Sequence, residues 1–255
     1  MLLRRHRAQL HGAVRVMENL KAQGFSIKPD RQTLTCGEMM LTAGALAQLH
    51  GLSHRLEFRS GKSLAKKFDW LVDQKNFLET AIYEYHNGVK TFAATFPDQT
   101  DLAACLEKVK LQPVLLDVLK SPRVKVLNQT DSRTSNVMIK YEGDVPMAVK
   151  LVDWQGLQYL PPTYDLALMF LCSAGWDVFH NHRDAILAHY HQQLHNTLGP
   201  TEPSGLQSYT LEQLKADFRA DSLYGVISRF IRLAILPADP GLLRMVQEIK
   251  KWGVL

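Results

Sequence analysis

Three oxygen-bearing side chains, Asp131, Asn136 and Asp153, stand out in this 255-residue sequence. Asp131 and Asn136 share one polar run, Asn128-Gln129-Thr130-Asp131-Ser132-Arg133-Thr134-Ser135-Asn136, and Asp153 opens Asp153-Trp154-Gln155. Hard oxygen ligands suit magnesium, which binds one or two carboxylates alongside phosphate oxygens. A further carboxylate near such a site can accept the proton of an attacking hydroxyl. A positioned metal, a positioned nucleophile and charge neutralisation are what phosphoryl transfer requires. Asp and Asn also favour turns, so as isolated residues these three fit plain loop capping equally well.

The elements around them follow from pattern. Val124 to Leu127, Val137 to Tyr141 and Ala148 to Val152 are short, partly β-branched runs, and Glu142-Gly143-Asp144 makes a turn between the second and third. Strands this short cannot form a core alone, so they are expected to hold the two polar loops on a helical platform. Thr35 and Glu38 have capping-box spacing. Leu41, Ala45, Leu49, Leu52 and Leu56 then recur at steps of three and four, which predicts the apolar face of a helix. Helical patterns follow at Ser63 to Val72, Asn76 to Thr95, Leu102 to Val109 and Pro113 to Leu119, before Pro122 breaks the chain. Beyond Pro161-Pro162 they resume at Thr163 to Cys172, His182 to Leu198, Thr210 to Ile235 and Gly241 to Trp252. Thr210 and Gln213 form a second capping box.

These segments, in this order, resemble the ecdysteroid kinase-like (CHK kinase-like) family. That family belongs to the choline kinase and aminoglycoside phosphotransferase group, which has the protein kinase-like fold. Its catalytic pattern, V-L-x-H-G-D-x-x-x-x-N-x-M followed by L-x-D-F-Q and P-x-x-D-L, is similar to Leu127–Met138, Val149–Gln155 and Pro162–Phe170. Val16-Met17-Glu18-Asn19-Leu20 and Gly24-Phe25 resemble its hinge. Leu46-Ala47-x-Leu49-His50 resembles its L-A-x-x-H helix.

The resemblance implies an α+β, mostly helical fold: a kinase-like C-terminal lobe with short strands around the catalytic loop. It implies Asp131 as the catalytic residue, Asn136 and Asp153 as magnesium ligands, and Asp165 as a buttress under the loop. Met17, Glu18 and Asn19 would present the hinge to the adenine of ATP. The implied activity is ATP-dependent phosphorylation of a small-molecule hydroxyl, with a steroid alcohol-like acceptor. The helices from Asn76 to Leu119 and from Thr210 to Trp252 are expected to wall the acceptor pocket. Two residues depart from the pattern: Gln129 replaces the motif His and Thr130 the motif Gly. A glycine-rich loop, a lysine strand and a glutamate helix should precede the hinge, and only about a dozen residues do. The expectation is therefore an N-terminally truncated chain, residues 1–25 a hinge remnant and 26–255 the C-terminal lobe, with impaired turnover. The alternative is a catalytically silent binding or interaction module.

Composition narrows the remaining classes. Hydrophobic residues are 46% and charged residues 22%, as in a globular protein rather than a disordered one. No apolar run reaches the roughly 18 residues that span a bilayer, so no membrane partner is expected. Three scattered cysteines argue against a disulfide framework and fit a reducing compartment, with the cytoplasm expected. The net charge of +5 is modest, and part of it lies in a basic head of Arg4, Arg5, Arg7 and Arg15, read as a solvated segment. Trp70, Trp176 and Trp252 lack the aromatic–basic alternation that stacks bases, so no nucleic acid is expected. Gly61-Lys62-Ser63 ends like a phosphate loop, but Leu56 stands where its first glycine belongs. His191 and His195 have metal-binding spacing yet fit a solvated helix face, with Ile186, Leu187, Tyr190 and Leu194 as the buried stripe. His50 is expected to pack in the core.

Overall fold

The computed structural model describes residues 17–29, 32–72, 75–199 and 205–255. The basic head from Arg4 to Arg15, and Val16 of the hinge match, lie outside these residues.

Among the described residues helices dominate, and five short strands form two small antiparallel sheets, as the expected fold class requires. Strands β1 (Phe25–Ile27), β3 (Val137–Glu142) and β4 (Val145–Leu151) form one sheet in the order β1-β3-β4. Ile27 pairs with Met138, and Val137 with Leu151. Strand β2 (Val126–Asn128) does not join them. It pairs with β5 (Gln158–Leu160), a strand the sequence pattern did not reveal. The polar loop therefore runs from one sheet to the other, with both its ends fixed.

Helix α1 (Cys36–Ser60) begins with the expected capping box. The Thr35 amide donates to Glu38 Oε2 at 2.7 Å, and the Glu38 amide donates to Thr35 Oγ1 at 3.4 Å. Glu38 also receives Lys28 Nζ at 2.7 Å and the Tyr141 hydroxyl, so one buried carboxylate ties the helix start to β3 and to the segment after β1. The buried face of α1 differs from the expected leucine stripe. It consists of Met39, Thr42, Ala43, Leu46, Ala47, His50 and Ser53, while Leu52 and Leu56 are each 56% exposed. The reason is close helix packing. Helix α1 lies along α7 (Arg183–Leu198), and a Cβ added at Gly51 would sit 2.7 Å from Thr197 Cγ2. An interface that tight selects small residues and turns the leucines outward.

Between them lie α2 (Leu64–Lys67), α3 (Lys75–Thr95), α4 (Thr100–Glu107) and α5 (Leu111–Leu116). Helix α6 (Thr163–Ser173) is buried along its whole length and packs against α8 (Leu211–Ile231), which also contacts α3. The second capping box opens α8 as expected, with Thr210 and Gln213 bonded reciprocally. Helix α9 (Pro240–Lys251) closes the described chain and is capped by Asp239. The stripe of Ile186, Leu187, Tyr190 and Leu194 on α7 is buried as expected. His191 and His195 are not simply solvated: both Nε2 atoms meet the Tyr209 carbonyl oxygen, at 2.7 and 3.1 Å. Two tryptophans join aromatic clusters, Trp176 stacking on His180 and Trp252 on Phe179.

Candidate active site

The loop after β2 is held from below by one carboxylate. Asp165 lies in the first turn of α6 and is fully buried. Its Oδ2 accepts the Gln129 amide and its Oδ1 the Thr130 amide, each at 2.7 Å. This is the buttress expected of Asp165, and a carboxylate also suits the positive end of its own helix. His50 Nε2 lies 3.2 Å from Asp165 Oδ2, and His50 Nδ1 lies 2.7 Å from the Tyr190 hydroxyl. Burial pushes the Tyr190 hydroxyl well above its ordinary pKa, with Asp165 adding to the shift. Asp165 already accepts two backbone amides, so Nε2 is the donor toward its carboxylate, and the Tyr190 hydroxyl meets the other ring nitrogen.

Asn128 is a second anchor that sequence reasoning passed over. Its Nδ2 donates to the carbonyls of Val126 and Leu160, and its Oδ1 accepts the Asp165 amide at 3.2 Å. One side chain thus joins β2, β5 and the uncapped start of α6. The only signal for it was a polar residue ending a strand.

The two departures from the family pattern both sit at this hinge of the loop. Gln129 is buried, and its Nε2 donates to the Val152 carbonyl, tying the loop to the segment before Asp153. Its Oε1 is buried with no partner, so the amide does half of what its polarity demands. Thr130 has φ 61°, in the left-handed region that a β-branched residue rarely occupies. That backbone explains why a glycine suits this position. Here the strained form is held by the Asp165 contact and by the Thr130 hydroxyl, which donates to the Gly156 carbonyl. Among the described residues, Asp153 is the one other non-glycine with positive φ, at 64°. Backbone strain of this kind gathers at functional sites.

The loop then brings two of the expected residues together. Asn136 Nδ2 donates to the Asp131 carbonyl at 2.9 Å and to Asp131 Oδ2 at 2.8 Å. With its nitrogen so committed, the amide oxygen faces away from Asp131. The Val152 amide donates to the Asn136 carbonyl at 3.0 Å, which fixes Asp153 two residues beyond the end of the β3–β4 ladder. Asp153 is partly exposed, and its carboxylate receives Gln155 Nε2 at 3.3 Å. Asp131, Asn136 and Asp153 therefore lie at one end of one hairpin. Among the described residues no group of three or more His, Cys, Asp or Glu is placed to hold a metal. Asn136 and Asp153 together offer oxygen donors of the type magnesium takes when phosphate supplies the rest.

Two arginines complete the surroundings, and neither was foreseen. Arg232, from just past α8, donates Nη2 to Asp131 Oδ1 at 3.0 Å. Arg133 Nε lies 3.3 Å from the same oxygen, as an ion pair without the alignment of a hydrogen bond. Arg232 is 101 positions from Asp131 in the chain, so no local spacing could announce the pair.

Beside the loop opens a cavity of about 580 Å³. Its walls are Arg133 to Ser135, the end of α6 with Trp176, and the stretch from Ala234 through Met245. Of the helices expected around an acceptor pocket, the C-terminal ones contribute to this cavity. The helices between 76 and 119 do not line it; they pack on α8 and on each other instead.

Met17, Glu18 and Asn19, expected as the hinge, precede β1. Met17 is exposed, Glu18 accepts Gln23 Nε2 at 2.7 Å, and Asn19 Oδ1 accepts the Ala22 amide at 3.1 Å, shaping the turn that leads into β1. Among the described residues no helix is long and apolar enough to cross a membrane, and the three cysteines are free.

The loop is buttressed from a following helix and lies with Asn136 and Asp153 at one end of the β3–β4 hairpin. A model of the Ecdysteroid kinase-like family matches residues 3–201, and the chain belongs to this family. A search of curated proteins finds no match. Among solved structures, the chain is similar to an ethanolamine kinase of Plasmodium vivax. The identity is 15% and the TM-score 0.43, over 89% of this chain and 64% of that one.

Proposed function

We propose that this protein transfers the terminal phosphoryl group of ATP to a hydroxyl of a small, largely apolar molecule such as a steroid alcohol. The observation that carries the reading is the Asp131–Asn136 contact, held by Asp165 and set at the same hairpin end as Asp153. Asp131 orients the acceptor hydroxyl and takes its proton. Asn136 and Asp153 would hold Mg²⁺, which would supply charge neutralisation at the phosphates. Met17, Glu18 and Asn19 edge the adenine, with residues 1–25 as hinge and 26–255 as the catalytic lobe. The protein works in the cytoplasm.

A second reading has its own observation. Both oxygens of Asp131 are already engaged, by Asn136 on one side and by Arg232 and Arg133 on the other. A carboxylate has about four acceptor sites, so a hydroxyl can still approach, but it competes with two guanidinium groups. That crowding favours a binding module without turnover. The test is phosphate transfer from MgATP to a panel of steroid and choline-like alcohols, with Asp131→Asn beside the natural chain. General-base chemistry predicts a loss of at least about 100-fold in the variant. Turnover that is the same in both proteins rejects the assigned role of Asp131. Magnesium-dependent nucleotide binding without any turnover selects the second reading.

A further inference from the structure

The cavity beside the loop has a polar end and an apolar body. Arg133 Nε, Thr134 Oγ1 and Ser135 Oγ are buried without a hydrogen-bond partner, and all three residues line the cavity. Thr134 is only 7% exposed. Buried polar atoms are nearly always paired; Arg133 Nε has the Asp131 carboxylate 3.3 Å away, so the orphaned hydroxyls of Thr134 and Ser135 mark the place of a hydrogen-bonding partner.

Charge points the same way. Arg229 lines the opposite side, is 7% exposed, and rests its guanidinium on the carbonyls of Leu236 and Pro237. Those acceptors are neutral, and a guanidinium stays charged when buried. The acid on the lining, Asp239, has its Oδ1 committed to the Leu242 amide at 2.8 Å as the cap of α9. Arg232 and Arg133 share the single Asp131 carboxylate. Counting Asp239, which keeps its charge as the α9 cap and acts on Arg229, three guanidinium groups stand against two carboxylates, an excess of one positive charge. Trp176, Ile235, Leu242 and Met245 supply apolar wall.

We propose that the cavity binds an amphipathic alcohol carrying a carboxylate, the acid meeting Arg133, Thr134 and Ser135 and the apolar body lying along Trp176 and Met245. The binding stands on the cavity lining, and only the use of this molecule as a phosphoryl acceptor rests on the phosphotransfer reading. A cationic alcohol would meet like charge there.

Calorimetry on the full chain without nucleotide tests the assignment, using cholate, its uncharged methyl ester and choline. Cholate is expected to bind at least about 10-fold more tightly than the ester, the scale of charge-assisted hydrogen bonds. Thr134→Val, which keeps the side-chain shape, should weaken cholate by about 5-fold, as one lost hydrogen bond does, and leave the ester unchanged. Arg133→Gln should abolish the preference for the acid. Equal affinity for acid and ester, tighter binding of choline, or no binding of any probe overturns the proposal. With no ATP present, a failed phosphotransfer assay leaves the binding result standing, so the two readings fail separately.

Discussion

Asp131 is gripped on both carboxylate oxygens, by Asn136 and by Arg232, whereas Asp153 receives one long bond from Gln155, two residues away. Their backbones differ as well. The Asp131 loop is tied to α6 through Asp165, to β5 through Asn128 and to the hairpin through Gln129. Asp153 stands alone at the hairpin end, in a left-handed conformation that Asp tolerates better than most residues. The loop side is built as a fixed surface and the Asp153 side as an open one. Such a division suits a site where the acceptor is oriented by rigid protein and a metal-bound nucleotide completes the other wall.

The largest break in this contrast should come from Asp165→Ala. It strands the buried Gln129 and Thr130 amides and the His50 Nε2–H. At about 1–3 kcal/mol for each unsatisfied donor, a loss of about 3 kcal/mol or more is expected in denaturant unfolding. A variant as stable as the natural chain would mean the buttress does not hold the loop.

Gly156→Ala should come next. Its Cβ would lie 2.7 Å from Thr130 Oγ1 and 3.2 Å from the Gln129 carbonyl oxygen. Overpacking of this kind costs about 1–3 kcal/mol. Thr130→Gly removes the hydroxyl that blocks the new methyl and also relieves the left-handed strain. The double variant should therefore be more stable than the sum of the single changes, a coupling that a double-mutant cycle reads directly. Strict additivity would break the claimed contact.

Asp153→Asn should scarcely touch the melting temperature, within about 0.5 kcal/mol, because Asn also accepts positive φ and no buried partner is lost. Magnesium-dependent nucleotide binding should fall all the same. A marked loss of stability would show that Asp153 is as structural as the loop, and the contrast between the two sides would disappear.

The sequence was most readable where chemistry and local geometry coincide. Capping boxes at Thr35 and Thr210, the glycine turn at Gly143 and the spacing of Asp131 and Asn136 are all events within a few residues. The α1 stripe was misread because periodicity finds large apolar residues, and the buried face of this helix uses Ala, Thr, Gly and Ser to come close to α7. Arg232 and Asn128 were missed for a different cause. Their partners lie 101 and 32 positions away, respectively, and such distances leave no trace in spacing. Gln129 and Thr130 were legible as departures from a family pattern. What the pattern could not give was the physical content of each: an orphaned amide oxygen in one and a strained backbone in the other.

The Asp165 clamp also changes what kind of loop this is. Surface loops ordinarily open and close many times before the rest of a protein comes apart. The Gln129 and Thr130 amides are bonded across 36 and 35 positions to a carboxylate that is itself sealed under α1 by His50, 115 positions away. Solvent can reach those two amide protons only when three distant stretches of chain separate together. Their exchange with water is expected to need an opening close to global unfolding, and exchange as fast as in an ordinary surface loop would show that the clamp does not hold.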